Sequence, residues 1–279
     1  MAYKSVFTVL YDPEIAGTVL AQAADLAQAM DAHLEVMCIG LERSPTSYYE
    51  VGINAAIVQA TIEQAQAKAE ALENDARQLL AKRDLRWNIT KSAAVQPDVG
   101  RPVGRFGRFS DLAILPLPYG KKANPDAPIV VEAALFDAGC PVLVVPDDVK
   151  TMGQPKRVVI GWNESAEALH AIRAALPLLM GAESVHIAVI DPPTHGPERS
   201  DPGGPLAIML ARHGVDCEIA VLAKTGGPIS AILSRHVKDT GADMLVMGAY
   251  GHSRFREAIL GGATRNLLEH AKVPVFMAH

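Results

Sequence analysis

Cysteine is scarce in this chain: Cys38, Cys140 and Cys217 are odd in number, widely scattered and free of C-x-x-C spacing. That excludes a disulfide framework, and the three read as reduced, mostly buried thiols of a cytosolic protein. Long apolar runs are also missing; none approaches membrane-spanning length, so no membrane partner is expected. The opening MAYKSVFTVLYDPE reaches an acidic turn too early for the apolar core of a signal peptide. Charge of one sign never accumulates, and the formal net charge of -5 lacks the basic footprint of a nucleic-acid binder. Enzyme signatures are absent too. There is no G-x-S-x-G elbow and no G-x-x-x-x-G-K-[S/T] loop, and the adjacent His252 and Ser253 point in divergent directions. The nine histidines form no H-x3-H pair and have no carboxylate at ligand spacing, so no metal site is expected.

What is present is material for a large core. Hydrophobic residues make up 49% of 279 and charged residues 20%, enough for two ordinary domains or one large one and too apolar for gross disorder. Short β-rich runs alternate with helical periodicity. Strands are expected at 6–11, 34–39, 87–91, 111–115 and 141–145, and the last run is apolar enough for burial on both faces. Helices are expected between them. Asp12 and Pro13 supply an N-cap and first-turn proline for the helix over 15–30, and the longest helix, 55–82, carries an apolar stripe of Ile57, Ile62, Ala65, Ala69, Leu72, Ala76 and Leu79. A weak glycine-bearing helix over 97–109 and another over 129–137 complete this half.

The order then begins again, with strands at 158–162, 185–190, 215–222, 244–247 and 275–277 and helices at 165–180, 206–213, 228–240 and 264–271. The Pro/Gly-rich stretch 191–205 is read as a loop. The halves also match in words: SDLAILPLPYGK with ADMLVMGAYGHS, AALFDAGCPVLVVP with RNLLEHAKVPVFMAH, and KSVFTVLYD with KRVVIGWNE. This is an internal duplication. It predicts two α/β domains, 1–150 and 151–279, with a linker near 147–155 and mostly parallel sheets.

The stretch MLVMGAYGHSRFREAILGGAT, residues 244–264, has an apolar strand ending in Gly248, then Gly251, Gly261, Gly262 and Thr264 ahead of a helix. Strand, glycine-punctuated loop and helix start make a common anion-binding arrangement, since glycines admit close backbone approach and the helix start offers free N–H groups.

The duplicated pattern, closed by GAYGHSRFREAILGGATRNLLEHAKVPVFMAH, resembles the universal stress protein family, in its tandem two-domain form. The resemblance implies two tandem, doubly wound five-stranded parallel-sheet domains of the adenine nucleotide alpha hydrolase-like class. It also implies ATP, with or without Mg²⁺, held on a loop of the form G-x2-G-x9-G-[S/T] followed by a further hydroxyl. Gly248, Gly251 and Gly261 match its three glycines. Gly262 stands where Ser or Thr belongs, and Thr264 keeps the later hydroxyl. A lost hydroxyl removes about 1.5–3 kcal/mol when its partner is charged, whereas the Gly262 amide is retained, so weakened rather than abolished binding is expected. The family's acidic residue after the first strand falls at Asn163. His252, Ser253, Arg254 and Arg265 are further candidate phosphate or ribose contacts, with an exposed polar surface as the plain alternative.

The first half departs from this pattern. Its loop keeps Gly120 but has Pro116, Pro118, Lys121 and Lys122, and Val130 replaces the third glycine; Asp12 then serves as a helix cap. The expected function is therefore stress-response regulation through one adenine nucleotide per chain, bound in the second half. Bound nucleotide would order 248–264, and a protein partner or the protein's own assembly would read that surface. Hydrolysis is slow or absent, because no general base is evident near the loop. The resemblance implies cytoplasmic location, pairing of the halves through sheet edges or fifth strands, and room for a further homodimer. Two other readings stand beside it: a scaffold whose glycines only shape a turn, and a small-molecule site under the Tyr48-Tyr49 loop.

Overall fold

The computed structural model describes residues 2–42, 55–95, 98–120, 123–192, 201–224, 226–249 and 262–279. Strand and helix alternate as β1 (Ser5–Leu10), α1 (Pro13–Ala29), β2 (His33–Glu42), α2 (Ala55–Leu80), β3 (Trp87–Val95), α3 (Gly100–Gly107), β4 (Leu112–Pro116), α4 (Ala127–Glu132) and β5 (Val142–Val145). The series repeats as β6 (Arg157–Trp162), α5 (Ala166–Leu179), β7 (Ser184–Ile190), α6 (Gly204–Arg212), β8 (Cys217–Leu222), α7 (Ile229–Asp239), β9 (Met244–Gly248), α8 (Gly262–His270) and β10 (Val275–Ala278). The helix expected over 129–137 is two elements, since α4 passes into a π-helical turn, Ala133–Asp137.

All ten strands join one sheet, in the order β3-β2-β1-β4-β5-β10-β9-β6-β7-β8. Neighbours on either side of the centre run parallel. At the centre β5 and β10 pair antiparallel, with Val144 opposite Val275 and Val142 opposite Met277. The two five-stranded parallel sheets are thus continuous, and each fifth-strand edge is covered by the other. Antiparallel joining also sends the C-terminal strand ends of the two halves to opposite ends of the sheet.

Helices on both faces bury the inner strands on both sides, which is why those sequences read as near-continuous apolar runs, whereas the edge strands β3 and β8 stay largely exposed. One face packs Val6, Leu10 and Ile160 against Leu20, Leu72, Ile172 and Leu178. The other packs Phe7, Leu115 and Val159 against Val103, Val130, Leu233 and Leu267. A polar tie crosses the joint, as Tyr3 Oη donates to the Ala174 carbonyl at 2.7 Å, while Gln22 Nε2 fastens the chain after β5 to α1 through the carbonyls of Pro146 and Val149. Cys38 and Cys140 are buried, Cys217 half-buried, and all three are free. Burial pushes the Cys38 and Cys140 thiols up to about 12. Among the described residues no helix is long and apolar enough to cross a membrane.

The stripe of α2 has its expected phase through Ala65, Ala69, Leu72 and Ala76 and departs from it at Ile62 and Leu79. Ala65, Ala69, Leu72, Ala76 and Leu80 are buried, whereas Ile62 and Leu79 are more than 40% exposed. Small residues are selected because the helix lies directly on β2. A Cβ built on Gly40 would stand 1.7 Å from the Ala65 carbonyl oxygen. Backbone cannot yield as a side-chain tip can, so Gly40→Ala should lose about 2–4 kcal/mol in urea unfolding. A loss under 0.5 kcal/mol would mean that the helix does not seat there.

Candidate functional site

In the second half, β6 and β9 are adjacent, and the connections leaving them diverge: β6 leads through α5 to β7 on one side, β9 through α8 to β10 on the other. A crevice beyond such a switch point is where open α/β sheets take ligands. At its β6 side, Asn163 Oδ1 accepts the Ser165 N–H at 3.3 Å, and Ser165 Oγ accepts the Ala168 N–H at 3.1 Å as the N-cap of α5. Between them Glu164 adopts a left-handed backbone, φ 61°. Asn163 spends its oxygen on this turn, and its amide N–H₂ remains as a donor.

At the β9 side, Gly248 lies against the first turn of α5. A Cβ there would come within 2.5 Å of the Ala168 nitrogen and 2.8 Å of the Glu167 carbonyl carbon. Ala249 N–H donates to the Ala278 carbonyl at 2.9 Å. His279 was not singled out in the sequence, yet it ties this corner together. Its Nδ1 bonds the Ala249 carbonyl at 3.1 Å, its carbonyl meets His170 Nδ1 at 2.7 Å, and its ring stands edge-on to Phe136 of the first half at 4.9 Å. No local motif signals these contacts, because each joins residues at least 30 positions apart.

Gly262 opens α8 and Thr264 is buried in its first turn. Since β9 and β10 run parallel, the helix joining them must begin at the same end of the sheet as Gly248. Gly248, Asn163, Gly262 and Thr264 therefore share that end. Gly251, His252, Arg254 and Gly261 lie outside the described residues, as do Ser253, Tyr48, Tyr49, Lys121 and Lys122.

The Arg265 guanidinium sits 5.0 Å above the Tyr119 ring, on the first half's sister loop. A cation over an aromatic face is attracted by the ring quadrupole. Burial, reinforced by the Glu132 carboxylate and opposed by Arg265, pushes the Tyr119 hydroxyl up to about 12.

At the sister switch point the chain bonds to itself. Asp12 caps α1 through the Glu14 N–H at 3.0 Å, and its other carboxylate oxygen accepts Asn124 Nδ2. Asn124 in turn accepts the Asp126 N–H at 2.8 Å. Val130 does not crowd a loop but is fully buried in α4 as a core residue. Among the described residues no group of three or more His, Cys, Asp or Glu could hold a metal ion.

Residues 155–279 match the model of the universal stress protein family. Through this half the chain is similar to that family. A curated relative, universal stress protein Slr1230 of Synechocystis sp., is 26% identical over 136 residues, 48% of this chain. The match spans 45% of that relative's length. Solved structures extend the likeness to the whole chain. A universal stress protein from Archaeoglobus fulgidus DSM 4304 superposes over 98% of this chain and 95% of its own, with a TM-score of 0.70 at 16% identity. A functionally unknown protein, PA1789 from Pseudomonas aeruginosa PAO1, does so over 99% and 92%, with a TM-score of 0.60 at 16% identity. At such identities the likeness establishes the fold alone, and the first half of the chain shares it.

Proposed function

We propose that this protein is a stress-response regulator whose second half binds one adenine nucleotide, ATP with or without Mg²⁺, and turns it over slowly or not at all. Residues 1–150 act as a structural partner domain to residues 151–279. The observation that carries this reading is the contrast between the two crevices. In the first half Asn124 bonds Asp12 across the switch point, whereas in the second Asn163, which precedes the Glu164 aligned with Asp12, bonds its own turn among the described residues. Phosphates would lie on the 248–264 segment and the start of α8, where free backbone N–H groups and the helix dipole favour an anion. Asn163 would donate to the ribose or base. The Asn163 amide cannot serve as general base. The protein works in the cytoplasm, and a partner protein or a second copy reads whether the site is filled.

A scaffold reading has one observation in its favour: the packing of Gly248 on Ala168 explains that glycine without any ligand. Calorimetric titration separates the two. Wild type should bind ATP in the presence of Mg²⁺, and Thr264→Ala should bind about tenfold more weakly, the effect of one hydrogen bond to a charged group. Absence of heat from a folded wild type would leave the scaffold. AMP titrated in parallel reports how much of the affinity comes from the outer phosphates.

A further inference from the structure

A second concavity lies at the opposite end of the second half, between the C-terminal turns of α7 and α8 and the starts of β9 and β10. Its volume is about 730 Å³, within the range of small-molecule sites. Buried Val237, Leu245, Leu267 and Val275 form its floor. Exposed Arg235, Lys238 and Lys272 ring it, and none has a carboxylate partner among the described residues. His270 and Asp239 complete the rim, the latter as its one acid. Lys238 and His270 occupy the last turns of their helices, where cations complement the dipole. That accounts for two charges at helix ends, but not for the apolar floor that they surround.

The corresponding place in the first half is built otherwise. There α3 is bedded through glycines on the turn after α4: a Cβ at Gly104 would stand 2.9 Å from the Asp137 carbonyl oxygen, and one at Gly107 3.1 Å from the Ala138 Cβ. The concavity beside it is lined by Arg101, Arg105, Arg108, Asp98 and Asp137, with no aliphatic floor. Of the two duplicated helix pairs, the second leaves an apolar groove with an excess of positive charge at its mouth.

We propose that this groove binds a free medium-chain carboxylate, with the alkyl chain on the Leu245–Leu267 floor and the carboxylate among Arg235, Lys238 and Lys272. The site is independent of the nucleotide crevice. Apolar burial sets the affinity through chain length, and the unpaired cations select the sign of the head group. Octanoate, decanoate, decanol and decyltrimethylammonium, all below their micelle concentrations, provide the test by calorimetry on the full chain. Decanoate should bind saturably at one per chain and about fifteenfold tighter than octanoate, since each buried methylene is worth about fourfold. Decanol and the ammonium should each bind at least fivefold more weakly. Lys238→Glu/Lys272→Glu, a surface variant, should weaken decanoate at least tenfold. Ala271→Phe, which narrows the groove, should do the same while retaining the unfolding midpoint of wild type to within a few degrees. The proposal is overturned by no saturable decanoate binding, by equal affinity for decanoate and the ammonium, or by unchanged affinity in the charge-reversed variant. It is also overturned if decanoate binds only alongside anionic lipid vesicles, or if light scattering shows a dimer whose formation excludes decanoate.

Discussion

Gly248→Ala should cost about 2–4 kcal/mol of stability in the nucleotide-free protein, measured by urea unfolding. The added Cβ would fall 2.5 Å from the Ala168 nitrogen, 2.8 Å from the Glu167 carbonyl carbon and 2.9 Å from the Ala168 Cα. All three are backbone atoms of the first turn of α5, and that turn is pinned by Ser165 Oγ on the Ala168 N–H. No side-chain rotation relieves the clash, so β9 or α5 must shift, which is the costly form of overpacking. The usual change in helix or strand propensity is smaller, about 1 kcal/mol or less. An apo stability within 0.5 kcal/mol of wild type would refute the close approach. The prediction also bears on how the site is read. Loss of nucleotide binding in a Gly248 variant cannot by itself be assigned to phosphate contact, because the variant displaces the α5 turn that carries Asn163.

That double role shows what the sequence could and could not disclose. Strands such as Leu112–Pro116 and Val142–Val145 are legible because burial on both faces leaves a continuous apolar signature. The repeat is legible because two halves of one sheet need the same elements in the same order. Helix starts are legible where a cap announces them, as at Asp12 and Ser165. The α2 stripe is legible at Ala65, Ala69, Leu72 and Ala76 but not towards its ends, where Leu80 rather than Leu79 is buried and Ile62 is exposed. Nor is the destination of Arg265, whose position on α8 suits a phosphate but whose guanidinium finds Tyr119 across the joint between the halves. The bond from Asn124 to Asp12 spans 112 positions, and nothing in either local sequence predicts it. Of the candidate residues, Gly248, Asn163, Gly262 and Thr264 fall at one end of the sheet, since parallel topology leaves a crossover helix no other place to begin. Contacts that depend on chain segments far apart in sequence had to be seen.

Gly262→Ser should tighten ATP binding by about tenfold to a hundredfold. Glycine replaces the family's hydroxyl residue here, and a hydroxyl bonded to a charged phosphate is worth about 1.5–3 kcal/mol. Nothing among the described residues opposes the change: a Cβ at Gly262 would meet no heavy atom within 4 Å, and the residue does not use the left-handed backbone that favours glycine. Gly262 is the first residue of α8, so the new side chain joins a helix start that already offers free N–H groups. Serine also raises helix propensity by a few tenths of a kcal/mol over glycine, which stabilises that first turn without regard to ligand. Gly262→Ala separates these effects, because it gains propensity and a Cβ but no hydroxyl. Calorimetry on wild type, Gly262→Ala and Gly262→Ser should place alanine within about threefold of wild type and serine well below both in Kd. The gain should shrink for AMP if the hydroxyl reaches the β- or γ-phosphate, and persist if it reaches the α-phosphate. Equal affinities for the Ser and Ala variants would mean that no phosphate oxygen lies within reach of residue 262, and the phosphate-loop assignment of 248–264 would fall with it.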